Sequence, residues 1–200
     1  MNHDLRNELL AMAAEDRRVR ALLAANGSLS EGYHPRMAEV HDRNAARLTE
    51  VIGRHGWPGR DLVGEDGARA AWLVLQHAIG HPALLRRGLA LLQQAVARGT
   101  VPAVEVAMLE DRIAYFEGRP QRYGTQYDWT EFGELAPWTI ADEADVDERR
   151  RSVGLPPLEE NTRRMREGAA REGDRPPAGW HERRRKFEEW AKSTGWRDSE

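Results

Sequence analysis

The stretch EDGARAAWLVLQHAI, residues 65–79, sets Ala68, Ala71, Trp72, Leu75 and Ile79 at steps of three and four, a wide apolar stripe along one helix face. Its length and stripe predict the most buried helix of the chain. Upstream, Leu5, Leu9, Met12, Val19 and Leu23 keep the same period over residues 4–25, with Asp4 placed to cap the start and Asn26-Gly27 to stop it. Pro35 opens a second helix through Met37, Val40, Leu48, Val51 and Ile52, which closes near His55-Gly56 and is expected to pack antiparallel to the first. Downstream, Pro82 starts a fourth helix through Leu85, Leu89, Leu92 and Val96, and Pro102 a fifth through Val106, Leu109, Ile113 and Phe116, ending at Gly118. The expected fold is mainly α, a compact bundle of about five helices.

From Arg119 onward the pattern changes. Tyr123, Thr125, Tyr127, Trp129 and Phe132 favour extended backbone, so a short β-hairpin or irregular segment is expected before residue 140. Short helices are expected over 142–152 and 158–166. Residues 167–179, with glycine, proline and little apolar content, read as a linker, and 180–200 as a basic amphipathic helical tail with little apolar surface to offer the core. The expected division is therefore a helical domain at 1–166, a linker at 167–179 and a tail at 180–200.

Of the 200 residues, 40% are hydrophobic and 32% charged, and the mean hydropathy is −0.74, a balance that suits a modest core under a solvated surface. No apolar run exceeds six residues, against the roughly 20 that a membrane-spanning helix needs, and no signal-peptide core is evident, so a cytoplasmic location is expected. The absence of cysteine excludes disulfides, thiolate metal sites and cysteine nucleophiles. Thirty basic against 33 acidic residues leave a net charge of −3, which provides no general field toward nucleic acid or anionic lipid. The basic run Arg183 to Lys186 is interrupted by Glu182, Glu188 and Glu189 and reads as a solvated helix face, not a nucleic-acid contact. Phosphate-binding glycine loops and the GxSxG elbow are missing.

The candidate chemistry lies in polar residues that interrupt apolar helix faces, because burying an unpaired polar group costs roughly 2–7 kcal/mol. Asp16 falls in the seam of the first helix, with Arg20 one turn on as the plain ion-pair alternative. His41 and Asn44, with Asp42 beside them, fall between Val40 and Leu48; Gln76 and His77 end the apolar run of the third helix; Asp111 and Arg112 lie between Leu109 and Ile113. In a bundle these groups can converge on one cleft. His77 is the leading proton-transfer group, because imidazole titrates near physiological pH. The spacing of His77 and His81, with His41, suggests a metal triad, but Gly80 and Pro82 end the helix before His81, and neither a metal nor an organic cofactor is expected. Gly124 allows a tight turn in which Tyr123, Thr125 and Gln126 face one point, suited either to substrate recognition or to capping the fifth helix.

Glu110-Asp111-Arg112, the run Gly118-Arg119-Pro120-Gln121-Arg122-Tyr123-Gly124-Thr125-Gln126, and Gly56-Trp57-Pro58, Trp72 and Gln76-His77-Ala78 together resemble a bacterial domain family of unknown function, seen often in actinobacteria. The likeness covers about residues 4–157. It implies one continuous domain and brings no mechanism; the family-like positions are Asp16, Asp42, Gln76, His77, Asp111, Arg112, Tyr123 and Gln126, and His81 is outside the pattern.

The resulting expectation is a small cytoplasmic enzyme without an organic cofactor, performing hydrolysis, elimination or cyclisation on a small polar metabolite. His77 would transfer the proton, and Asp111 or Asp16 would orient it. Arg112, Gln126, Tyr123, Gln76, His41 and Asp42 would hold the substrate. The alternative is a non-catalytic ligand-binding or protein-interaction domain using the same pocket. Neither nucleic acid nor membrane is expected as a partner.

Overall fold

The apolar periods seen in the sequence become eight α-helices in the computed structural model, which describes residues 1–28 and 33–198. They fall into two compact units, Met1–Val101 and Pro102–Glu200, so the break lies between the fourth and fifth helices and not at residue 166. Among the described residues no helix is long and apolar enough to cross a membrane.

The first unit holds α1 (His3–Ala25), α2 (Pro35–His55), α3 (Arg60–His77) and α4 (Pro82–Ala97). Asn2, and not Asp4, caps α1, its side chain accepting from the Leu5 amide at 3.1 Å. The main partner of α1 is α3, and α2 touches both. Small residues explain this preference. Gly67, Ala70 and Ala71 lie on the buried side of α3, and a Cβ at Gly67 would stand 3.2 Å from Arg6 Cγ, so the stem of Arg6 on α1 rests close against the α3 backbone. Gly88 on α4 likewise makes room for Leu75, whose methyl carbons would lie 2.6–2.7 Å from an added Cβ.

α3 begins earlier than its apolar stripe and is broken at Gly64, which adopts a left-handed φ of 72°. Its buried line runs through Val63, Gly67, Ala70, Ala71, Val74 and Leu75, rotated from the stripe expected through Ala68, Trp72 and Ile79. The rotation follows from packing, because bulky Trp72 cannot occupy the narrow α1–α3 contact that small residues create.

The second unit contains α5 (Ala103–Glu117), the strands β1 (Tyr127–Trp129) and β2 (Leu135–Pro137), then α6 (Val146–Ser152), α7 (Leu158–Glu172) and α8 (Trp180–Ser193). The strands form the expected antiparallel hairpin, with Asp128 opposite Ala136. Two expectations fail here. α7 continues through the proposed linker to Glu172, held on its polar surface by Arg163–Glu167 and Arg164–Glu160 pairs one turn apart. The tail also docks: Trp190 and Trp196 pack on Phe116 at ring separations of 5.6 and 5.1 Å, Phe187 lies 5.2 Å from Tyr115, and Trp180 Nε1 donates to the Trp129 carbonyl at 2.6 Å. Its aromatic residues, although few, are enough to complete this unit's core.

Candidate functional site

Three helices of the first unit each bring one ionisable side chain to a common point. Asp16 on α1 is fully buried; His41 on α2 is 8% exposed; His77, the last residue of α3, keeps 27% of its side chain exposed. The close α1–α3 contact sets the Asp16 carboxylate against His77, with Nδ1 2.9 Å from Oδ1 and 2.8 Å from Oδ2. His41 Nε2 approaches the same Oδ2 at 3.1 Å, and the two imidazole rings lie 5.3 Å apart. The expected alternative for Asp16, a surface pair with Arg20, is replaced by these contacts with helices far away in sequence. One ligand atom from each of Asp16, His41 and His77 falls within 4.8 Å of the others, so this set could hold a metal ion.

Electrostatics reinforce the geometry. Burial by itself would raise the Asp16 carboxyl, but the close approach of the His41 and His77 imidazoles outweighs it and holds the group well below the usual carboxylate range. His77 stands at the C-terminal end of α3, where the helix dipole is negative. Behind His41, the Tyr33 hydroxyl lies 3.0 Å from Nδ1, and the two rings stack at 5.7 Å. Burial, then the charges of Asp42 and Asp16, push the Tyr33 phenol well above its ordinary value, so it stays a neutral hydrogen-bonding partner. Tyr33 was not among the expected site residues. It precedes Pro35, where no apolar period draws attention to it.

The other first-unit candidates are placed differently. Gln76 is buried within α3, on the core side. Asn44 reaches the Met12 carbonyl at 3.4 Å and ties α2 to α1. Asp42, 60% exposed, pairs with His81 Nε2 at 2.9 Å. His81 stands at the start of α4, beyond the helix break, and has a partner of its own.

In the second unit Asp111 is fully buried and accepts the backbone amides of Arg122 at 2.8 Å, Tyr123 at 3.0 Å and Thr125 at 2.9 Å. Burial raises its carboxyl, and these three amides partly offset that rise. Of the two roles open to the Tyr123–Gln126 turn, the geometry shows the turn tied to the fifth helix. Gly124 has φ 66°, and a Cβ there would stand 2.7 Å from Ile140 Cδ1. Two residues outside the expected site complete the knot. Gln121 donates to the Gln126 and Trp138 carbonyls at 3.0 and 2.9 Å and accepts the Gln126 amide at 2.6 Å. Arg150, fully buried, donates to the carbonyls of Tyr123, Gly124 and Pro156. The Gln126 side chain donates to Thr125 Oγ1 at 3.1 Å, and Tyr123 is largely buried. Burial pushes the Arg112 guanidinium down to about 10, still cationic near neutrality.

No match was found among curated proteins or among solved structures. A family model does match, from residue 3 through both units to residue 171, just short of the end of α7. The chain thus belongs to a family of unknown function, DUF6624, whose matched stretch contains Asp16, His41, His77 and the whole Asp111-anchored turn.

Proposed function

We propose that the chain is a small cytoplasmic enzyme that carries out acid–base chemistry, hydrolysis, elimination or cyclisation, on a small polar metabolite, with His77 as the proton-transfer group. The observation that carries this reading is the pairing of a fully buried carboxylate with an imidazole that is still partly open: Asp16 against Nδ1 of His77 at 2.8 Å. With the Nδ1 proton donated to Asp16, Nε2 presents its lone pair outward and can remove a proton from a substrate. The imidazolium so formed is stabilised by Asp16 and by the end of α3, and it returns the proton to the leaving atom in the second half of the reaction. Asp16 is thus the orienting carboxylate. Asp111, the other candidate, already spends both oxygens on backbone amides. Nothing in this sequence of transfers calls for an organic cofactor.

The test is metabolite depletion by the full chain, followed by mass spectrometry on a panel of small polar metabolites, wild type beside His77→Gln. Turnover is expected to fall by about 10²–10⁴ while the circular dichroism spectrum and melting temperature hold. Equal turnover in the variant would refute the assignment, and binding of a metabolite without conversion by the wild type would favour the non-catalytic reading.

A further inference from the structure

We infer that Asp16, His41 and His77 form a binding site for one divalent transition-metal ion of the zinc type, held by two imidazole nitrogens and one carboxylate oxygen. This goes beyond the proton-transfer reading and does not rest on it: an ion on His77 Nδ1 takes the place of the proton shared with Asp16, so the two describe the ion-bound and the ion-free site. The first support is convergence: three side chains from three helices, with ligand atoms within 4.8 Å of one another and two of the separations at 2.8 and 3.1 Å. Ligands on a tetrahedral zinc ion with bonds near 2.0–2.1 Å stand about 3.3 Å apart, so small side-chain rotations suffice to close the shell.

The second support is independent of spacing. His41 is more than nine-tenths buried, and its Nε2 lies 3.1 Å from Asp16 Oδ2 without making a hydrogen bond to it or to any other described group. A buried imidazole nitrogen that approaches a carboxylate but is not aligned with it is poorly used as a donor. The same nitrogen aimed at a point between itself, Asp16 and His77 is well used as a ligand. His77 Nδ1 lies within reach of both Asp16 oxygens, at 2.9 and 2.8 Å, so either oxygen is placed to share an ion with it.

The surroundings fit a coordinating role. The Tyr33 hydroxyl on Nδ1 of His41 is the kind of outer partner that fixes which ring nitrogen faces a metal. The donor set of two nitrogens and one oxygen suits Zn²⁺ or Co²⁺ better than Mg²⁺ or Ca²⁺, which prefer all-oxygen shells. Three protein ligands leave a fourth position for water. On binding, His41 Nε2 and His77 Nδ1 release to solvent any proton they carry, and Asp16 stays a carboxylate. The set differs from the His41, His77 and His81 combination suggested by spacing, because His81 is engaged with Asp42.

The experiment is Co²⁺ titration of the full chain, free of added histidines and stripped with a chelator, read by visible absorption. A tetrahedral-type band that saturates at one equivalent and is displaced by Zn²⁺ is expected. His41→Gln and Asp16→Asn should each weaken binding by at least about tenfold, and His81→Gln should leave it unchanged. Should Asp16→Asn fail to fold, His41→Gln and the shifts of the His41 and His77 ring signals on Zn²⁺ addition carry the test. Absence of a saturable band, or wild-type affinity in His41→Gln, overturns the site. Because the readout is occupancy, a chain that converts a metabolite but binds no Co²⁺ loses only the ion. One that binds Co²⁺ but converts nothing loses only the proton-transfer reading.

Discussion

Asp16 in the first unit and Asp111 in the second are both sealed from solvent on the inner side of a helix, yet they meet different donors. Asp16 meets two imidazoles, and its carboxyl is held below the ordinary range; Asp111 meets three backbone amides, and burial still leaves its carboxyl raised. Amides are fixed dipoles that hold a loop in place. Imidazoles can gain and lose protons and change ligands, which is why the proposed chemistry rests on Asp16 and not on Asp111. What separates the two carboxylates here is the partner, not the acid.

The largest effect that would break this contrast is at Asp111. Removing its carboxylate in Asp111→Ala strands three amides of the Arg122–Thr125 turn, and a stability loss of about 3–5 kcal/mol in urea unfolding is expected. A change under about 1 kcal/mol would show that the turn holds itself.

An intermediate effect is expected at Asp16. Its folded-state carboxyl is lowered, so the stability it contributes is present above the unfolded value, near pH 4, and is lost as the pH falls further. Asp16→Asn should cost about 1–3 kcal/mol at neutral pH and flatten the acid limb of stability below about pH 4, by roughly the same amount. An acid limb as steep as that of the wild type would place the titrating group elsewhere.

The smallest effect sharpens the comparison from outside. The Asp42–His81 pair has the same chemistry as Asp16–His77 but is solvated, with Asp42 60% exposed. His81→Gln should change the unfolding free energy by less than about 0.5 kcal/mol. A larger loss would mean that this pair anchors the turn between α3 and α4.

The difference between these carboxylates was only half visible in the sequence. Apolar periodicity located α2, α4 and α5 well and singled out Asp16, His77 and Asp111 as polar intrusions, because each breaks a stripe. It could not tell which intrusion meets an imidazole, since His77 is 61 positions from Asp16 and only the α1–α3 packing at Gly67 and Ala70 brings them together. In the sequence Arg20 is the nearer partner. The later part of α7 escaped notice for a related reason: it buries no residue and rests on charged pairs, so no apolar period marks it. The docking of α8 rests on four tryptophan and phenylalanine residues spread over 17 positions, which periodicity weighs lightly and a core weighs heavily.

His77 closes α3, and the chain turns into α4 within the next four residues. Asp16, His41 and His77 are therefore rooted in helices whose spacing the core fixes, whereas the chain beside them is a short connection. Substitutions in the 78–81 turn are therefore expected to change the surface beside His77 without disturbing the helices that keep Asp16, His41 and His77 in register.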